Sequence, residues 1–273
     1  MDREWKAGVG LLSVNYKEQT GLSRVAVIFA GCWVAAVSMP VCADSPWKLR
    51  WAEGFFTSLG EYGTSENTRL NSAPLSFRAR NERWTFSATV PWVEINGPGN
   101  LSAGEFANHD AKSNGDAKGL GDTTLSGSNA QQYGKFSVEE TLKIKLPTAS
   151  EKKGLGTGAT DYESRVDVAR RIGVVTAFGA IGYRLRGSVE GYDLKNSPFI
   201  SLGDQYTWHG RYTAGGFYEW RGASREDRPP LRDLYLYASL QFDNHWKGMV
   251  ITSRGFSDSS ARWSIGTQIS YEY

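Results

Sequence analysis

The chain has 273 residues, with 31 basic and 29 acidic side chains and a net charge of +2, a balance that carries no electrostatic footprint for nucleic acid. Thirteen per cent aromatic residues and 31 glycines on a hydrophilic average (mean hydropathy −0.43) describe neither a disordered chain nor an ordinary enzyme core. They suit a protein built largely of strands and turns.

The first element is an apolar run, "VAVIFAGCWVAAVSM" (Val25 to Met39), preceded by Lys17 and Arg24 and followed by "PVCA". Val41 and Ala43 occupy the small-residue positions of a secretory cleavage site. A leader over 1–43 with an extended n-region is expected, cut after Ala43, leaving 44–273 as the mature domain. Fifteen apolar residues fall short of the roughly 20 that a spanning helix needs, which disfavours the alternative of a single anchoring helix. "IFAGC", ending at Cys32, loosely resembles a lipoprotein acylation box, but Phe29 and the apolar residues after Cys32 fit it poorly. Both cysteines, Cys32 and Cys42, precede the cut, so thiol catalysis, disulfides and cysteine metal sites are not expected in the mature chain.

From about Gly54 onward the sequence divides into segments with a period of two and no helical stripe. In "RWTFSATVPW", Trp84, Phe86, Ala88, Val90 and Trp92 share one face, and Thr85, Ser87 and Thr89 the other. The two tryptophans are separated by about 20 Å along the axis of a barrel with strands tilted about 40°, close to the height of a lipid-facing band of roughly 25 Å. Twelve such segments can be read, near 54–63, 70–80, 83–94, 119–129, 134–146, 160–172, 174–187, 197–208, 210–222, 232–243, 245–256 and 261–273. Their connections alternate: every second one is tight, while three of the others run to about 24, 13 and 9 residues. Short turns on one rim and long loops on the other mark an outer-membrane barrel with both termini on the periplasmic side. Lipid offers the backbone no hydrogen-bond partners, so such a sheet must close on itself. The expected fold is an all-β, transmembrane, antiparallel up-and-down barrel of twelve strands in the bacterial outer membrane, with its lipid as a partner. A soluble periplasmic sandwich is the alternative.

If the apolar parity faces lipid, the other parity names the lumen. The fifth segment then points Glu139, Lys143 and Lys145 inward, the sixth Glu163, Arg165 and Asp167, and the seventh Arg184 and Arg186. Arg78, Arg80, Arg211, Glu219, Arg221, Tyr235 and Tyr237 extend the lining, and Glu140 breaks the pattern, as a bulge or a rim position would. Two readings are open: a charged constriction that selects what passes, or charges that pair across strands and fill a narrow lumen. A mid-height Arg or Lys facing lipid would cost about 2–4 kcal/mol, so the cluster is expected inside under either reading.

Catalytic chemistry finds little support. Of three histidines, His109 sits in the longest loop and His209 and His245 fall in tight turns, and no Gly-x-Ser-x-Gly elbow is present. "GLGTG" (Gly154 to Gly158) lacks the Lys-Ser/Thr and the βαβ unit of a phosphate loop and reads as a flexible outer loop. The spacing of Asp110, Asp116 and Asp122 does not fit an EF-hand. No cofactor or metal is assigned.

Three stretches together, "GLGDTTLSG" (Gly119 to Gly127), "KIKLPTASEKKGLGTGATDYE" (Lys143 to Glu163) and the closing "RGFSDSSARWSIGTQISYEY" (Arg254 to Tyr273), resemble the bacterial outer-membrane proteins called the MetA-pathway of phenol degradation family. The resemblance covers most of the mature chain; "SDSSAR" departs from the family's "SPD"-like pattern. It implies a barrel that helps small, often aromatic, organic compounds cross the outer membrane. It also implies that the barrel assembly machinery reads the terminal strand, whose outward Ile269, Tyr271 and Tyr273 end on an aromatic residue. A passive channel for small organic solutes is the leading expectation, a sealed structural or partner-binding barrel the second, and a membrane hydrolase the third.

Overall fold

The computed structural model describes residues 47–62, 66–97, 100–102, 105–107, 116–188 and 193–273. The expected leader over 1–43, both cysteines, His109 and Asp110 lie outside the described residues.

Alternating side chains produce twelve long strands: β1 (Lys48–Gly60), β2 (Thr68–Arg80), β3 (Trp84–Asn96), β4 in two pieces (Ala117–Leu120 and Thr123–Tyr133), β5 (Phe136–Leu146), β6 (Asp161–Ile172), β7 (Val175–Leu185), β8 (Ser197–Trp208), β9 (Tyr212–Arg221), β10 (Leu231–Gln241), β11 (Trp246–Gly255) and β12 (Trp263–Glu272). Each pairs antiparallel with the next, and β12 returns to β1, from Arg50 opposite Glu272 to Leu59 opposite Trp263. The barrel is therefore closed and has no free edge. The seam runs to the last residue, where the Tyr273 amide donates to the Leu49 carbonyl at 2.8 Å. A small hairpin, Asn100–Ser102 with Glu105–Ala107, decorates the loop after β3.

The turns of the rim that holds the short connections are built by their own chemistry. Gly134, Gly173 and the His209–Gly210 pair adopt positive φ, which tight hairpins require. Asn81 and Asp243 instead each accept two backbone N–H groups with a side-chain oxygen, from Arg83 and Trp84 and from His245 and Trp246.

Two boundaries differ from the sequence reading. β1 begins at Lys48 rather than near Gly54, because its first inward positions, Lys48 and Arg50, are charged and hide the alternation of Leu49 and Trp51. In β4, two residues of β3 (Val90 and Pro91) face three (Gly121, Asp122 and Thr123), a one-residue bulge opposite a proline that cannot donate to the ladder. The pairing is continuous through Glu140, by contrast, which stands opposite Asn129 and Val166. It is neither bulged nor at the rim: it faces outward four residues from Phe136.

Burial runs opposite to that of a soluble domain. Leu142, Leu202 and Ile181 on the outer wall are 69%, 65% and 61% exposed, whereas the charged Glu163 and Arg165 inside are 6% and 4% exposed. Exposed aromatics ring the outer wall near the tight turns (Trp84, Tyr133, Phe136, Tyr212, Tyr273) and again toward the opposite rim (Trp92, Tyr162, Tyr183, Tyr218, Trp263). An apolar wall between two aromatic girdles is the surface that a bilayer selects.

Candidate functional site

Contacts between strands that are not neighbours show which parity faces the lumen. Arg221 on β9 reaches Glu163 on β6 (3.6 Å), Arg165 on β6 reaches the Ser201 hydroxyl on β8 (3.5 Å), and Tyr237 on β10 donates to Gln205 on β8 (2.8 Å). Only inward side chains can meet in this way.

Toward the long-loop mouth, charges pair closely. Glu163 is a hub: Lys143 approaches one carboxylate oxygen at 2.8 Å, and Arg184 approaches the other at 2.7 Å, on the same side as Arg221. Arg165 clasps Asp167 through Nε (2.8 and 3.0 Å), and Arg221 also holds Glu219 (3.3 Å). The Phe199 ring lies between the two guanidinium groups, 5.5 Å from Arg165 and 4.7 Å from Arg221. Lys145 sits between Asp122 (3.3 Å) and Asp161 (3.1 Å) and donates to the Thr157 hydroxyl. Glu139 is buried opposite Asp167. Arg186 falls just beyond β7, where it bonds the Lys195 carbonyl and the Ser197 hydroxyl at the rim.

The loop between β5 and β6 takes part, contrary to its reading as a flexible outer segment. It contains a 3₁₀ turn (Glu151–Lys153) closed by Gly154 at positive φ, and it folds inward. Leu155 is buried with Tyr62, Leu70, Val93, Ile95 and Ala261, and Asp122 accepts the Ala149 amide at 3.0 Å. Glycine motifs signal turns in sequence but not the direction of the chain after the turn. Leu155, Thr157, Asp122 and Asp161 were missed for that reason.

At mid-height an apolar cluster occupies part of the lumen, level with Asp167, which stands opposite Ala180. Phe217 stacks on Tyr235 (4.6 Å between centroids, 13° between planes), and Phe56, Ala180, Tyr237 and Ile251 complete a buried cluster. Phe56 lies across bare backbone: a Cβ on Gly54 or Gly266 would come within 2.4 or 2.0 Å of its ring. Glycine is needed at both positions for the ring to lie flat.

The end of the lumen near the tight turns has a different balance. Lys48 stands opposite Arg80 and Arg50 opposite Arg78, so two like-charged pairs face one another on adjacent strands. Lys48, Arg50 and Arg80 converge on Glu272, at 3.6, 3.0 and 2.9 Å. In the turns, His245 stacks on Tyr271 and its Nδ1 lies 2.8 Å from the Glu272 carbonyl oxygen. Among the described residues no group of three or more His, Cys, Asp or Glu is arranged to hold a metal.

No family model and no curated protein matches the chain. Solved structures do. An outer membrane channel from Pseudomonas putida F1 superposes with a TM-score of 0.64 at 12% identity, over 89% of this chain and 100% of that one. The NanC porin superposes with a TM-score of 0.52 at 9% identity, over 82% and 98%. At these identities the likeness is one of fold, and the chain has the closed β-barrel fold of outer-membrane proteins.

Proposed function

We propose that this barrel is a passive channel for small organic solutes in the bacterial outer membrane. The observation that carries the reading is the lining of the lumen: paired charges toward the long loops, an aromatic cluster beside acidic groups at mid-height and a group of cations on Glu272 near the tight turns, inside a wall whose outer face suits lipid. The sequence resemblance to the MetA-pathway of phenol degradation family supports the same reading and favours aromatic compounds among the solutes. In this reading the segment before residue 44 is the export leader, the barrel carries no catalytic centre, and Ile269, Tyr271 and Tyr273 are the signal for the assembly machinery. These three lie on the outward face of β12.

The tight packing of Phe217 against Tyr235 favours one competing reading, a barrel sealed by its own side chains. Planar-bilayer recording separates the two. A channel gives small, resolvable steps in the wild type and larger ones in Phe217→Ala, which opens the middle at a cost of about 3–5 kcal/mol in stability. A barrel that stays silent in both forms is sealed. The terminal signal has its own test, since Tyr273→Ser should lower the yield of heat-modifiable barrel far more than total synthesis. Equal yields would remove that role.

A further inference from the structure

Glu140 is a carboxylate on the lipid-facing wall. It is exposed on the outward parity of β5, four residues from Phe136 in the aromatic girdle, which places it about 10 Å into the apolar band at the rise and tilt of a barrel strand. Glu53 and Glu94 also point outward, but each lies two residues from a girdle tryptophan, Trp51 and Trp92. The cost of an ionisable group on a barrel's outer face grows with depth, and one held inside the band marks a functional position.

Among the described residues no hydrogen bond or ion pair reaches the Glu140 carboxylate. Directly opposite it on β4 stands Asn129. There a chain of outward side chains climbs from the girdle: the Tyr133 hydroxyl donates to Gln131 at 2.9 Å, and the Gln131 amide donates to the Asn129 side-chain oxygen at 3.0 Å. The Asn129 amide nitrogen at the head of this chain has no acceptor among the described residues. An acceptor without a donor and a donor without an acceptor therefore sit side by side on the outer wall. The next outward row is shaped as a knob between two hollows, with Leu142, 69% exposed, flanked by Gly127 on β4 and Ser164 on β6.

We infer that this face is the interface with a second copy of the chain, related to the first by a two-fold axis along the membrane normal that passes between β4 and β5. Such an axis preserves depth and sets β4 of one copy against β5 of the other. Glu140 of each copy then accepts from the partner's Asn129, and each Leu142 enters the hollow over the partner's Gly127. Both halves of the missing hydrogen bond lie on this chain, so a second copy supplies what lipid tails cannot. The inference does not depend on conduction. To test it, full barrels labelled separately with donor and acceptor dyes are mixed in phosphatidylcholine vesicles, and energy transfer is followed as protein is diluted in lipid. Wild type should show saturable transfer of a dimer. Glu140→Leu, apolar at a lipid-facing position and checked by heat-modifiable mobility, should weaken association about tenfold or more, since two symmetry-related charge-assisted bonds are lost. Asn129→Leu should weaken it similarly and carries the test if Glu140→Leu fails to fold. The double variant should be no worse than either, because both remove the same bond. Leu142→Ala should also weaken association, whereas Leu202→Ala, at a position 65% exposed on β8, should leave it unchanged. A wild type that stays monomeric means that lipid covers this face and overturns the inference. So would association unchanged in Glu140→Leu and Asn129→Leu, or weakened equally by Leu202→Ala.

Discussion

The two charged regions of the lumen each gather three cations around one carboxylate, but in different registers. Glu163 has unlike charges directly opposite it on both neighbouring strands, Lys143 on β5 and Arg184 on β7, and Arg221 reaches it across the lumen. At the end near the tight turns, Lys48 faces Arg80 and Arg50 faces Arg78. A buried charge is tolerated when a counter-charge and hydrogen bonds replace its water, so the first region can fill space and hold strands together. The second sets like charges directly opposite one another, and Glu272 offsets their repulsion through Lys48, Arg50 and Arg80. The first is therefore expected to carry the larger share of stability.

The largest effect should come from breaking the hub. Glu163→Gln leaves three buried cations around a neutral amide, and the cost of such an uncompensated site is about 3–5 kcal/mol. Denaturant unfolding followed by loss of heat-modifiable mobility measures it. A loss under about 1 kcal/mol, the range of an exposed pair, would mean that the network is hydrated and the contrast between regions is false. Lys48→Gln makes a milder prediction: it removes an exposed member of the three cations on Glu272, so stability should change by less than about 1 kcal/mol. If it destabilises as much as Glu163→Gln, the cations near the tight turns carry as much of the fold as the hub does.

The smallest effect lies outside the membrane and calibrates the comparison. Two backbone N–H donors, from Trp246 and His245, hold the carboxyl of Asp243 below its ordinary value of 3.8. A depressed carboxyl contributes stability above its unfolded value and loses it as pH falls through the lower folded one. Wild type should therefore be slightly more stable than Asp243→Asn above pH 3.8, and the two should converge on further acidification. A difference that grows in acid would contradict the turn geometry.

Much of the architecture was legible because a barrel wall separates two solvents. Trp84, Phe86, Ala88, Val90 and Trp92 could be assigned to one face from alternation alone, and Arg165 and Arg184 to the other, since a single-residue slip would exchange lipid and lumen for a whole strand. The start of β1 was less legible, because a charged inward face and a short outward one look like a loop. The β4 bulge was invisible, although Pro91 in β3 supplies its cause. The role of Leu155 was invisible as well, since a glycine-rich loop reads the same whether it folds over the mouth or away from it.

Strand number, closure of the sheet and the inward direction of most strand charges, Glu140 excepted, follow from local periodicity and from the cost of unpaired backbone or charge in lipid. Which charges meet is set by the closed barrel. Glu163 and Arg221 are separated by two intervening strands, β7 and β8, and Lys48 and Arg80 become neighbours through the β1–β2 register. Pairing across a lumen depends on barrel curvature and strand stagger, which belong to the closed sheet and to no single strand. The same residue types therefore formed a paired network at one end and a cationic cluster at the other.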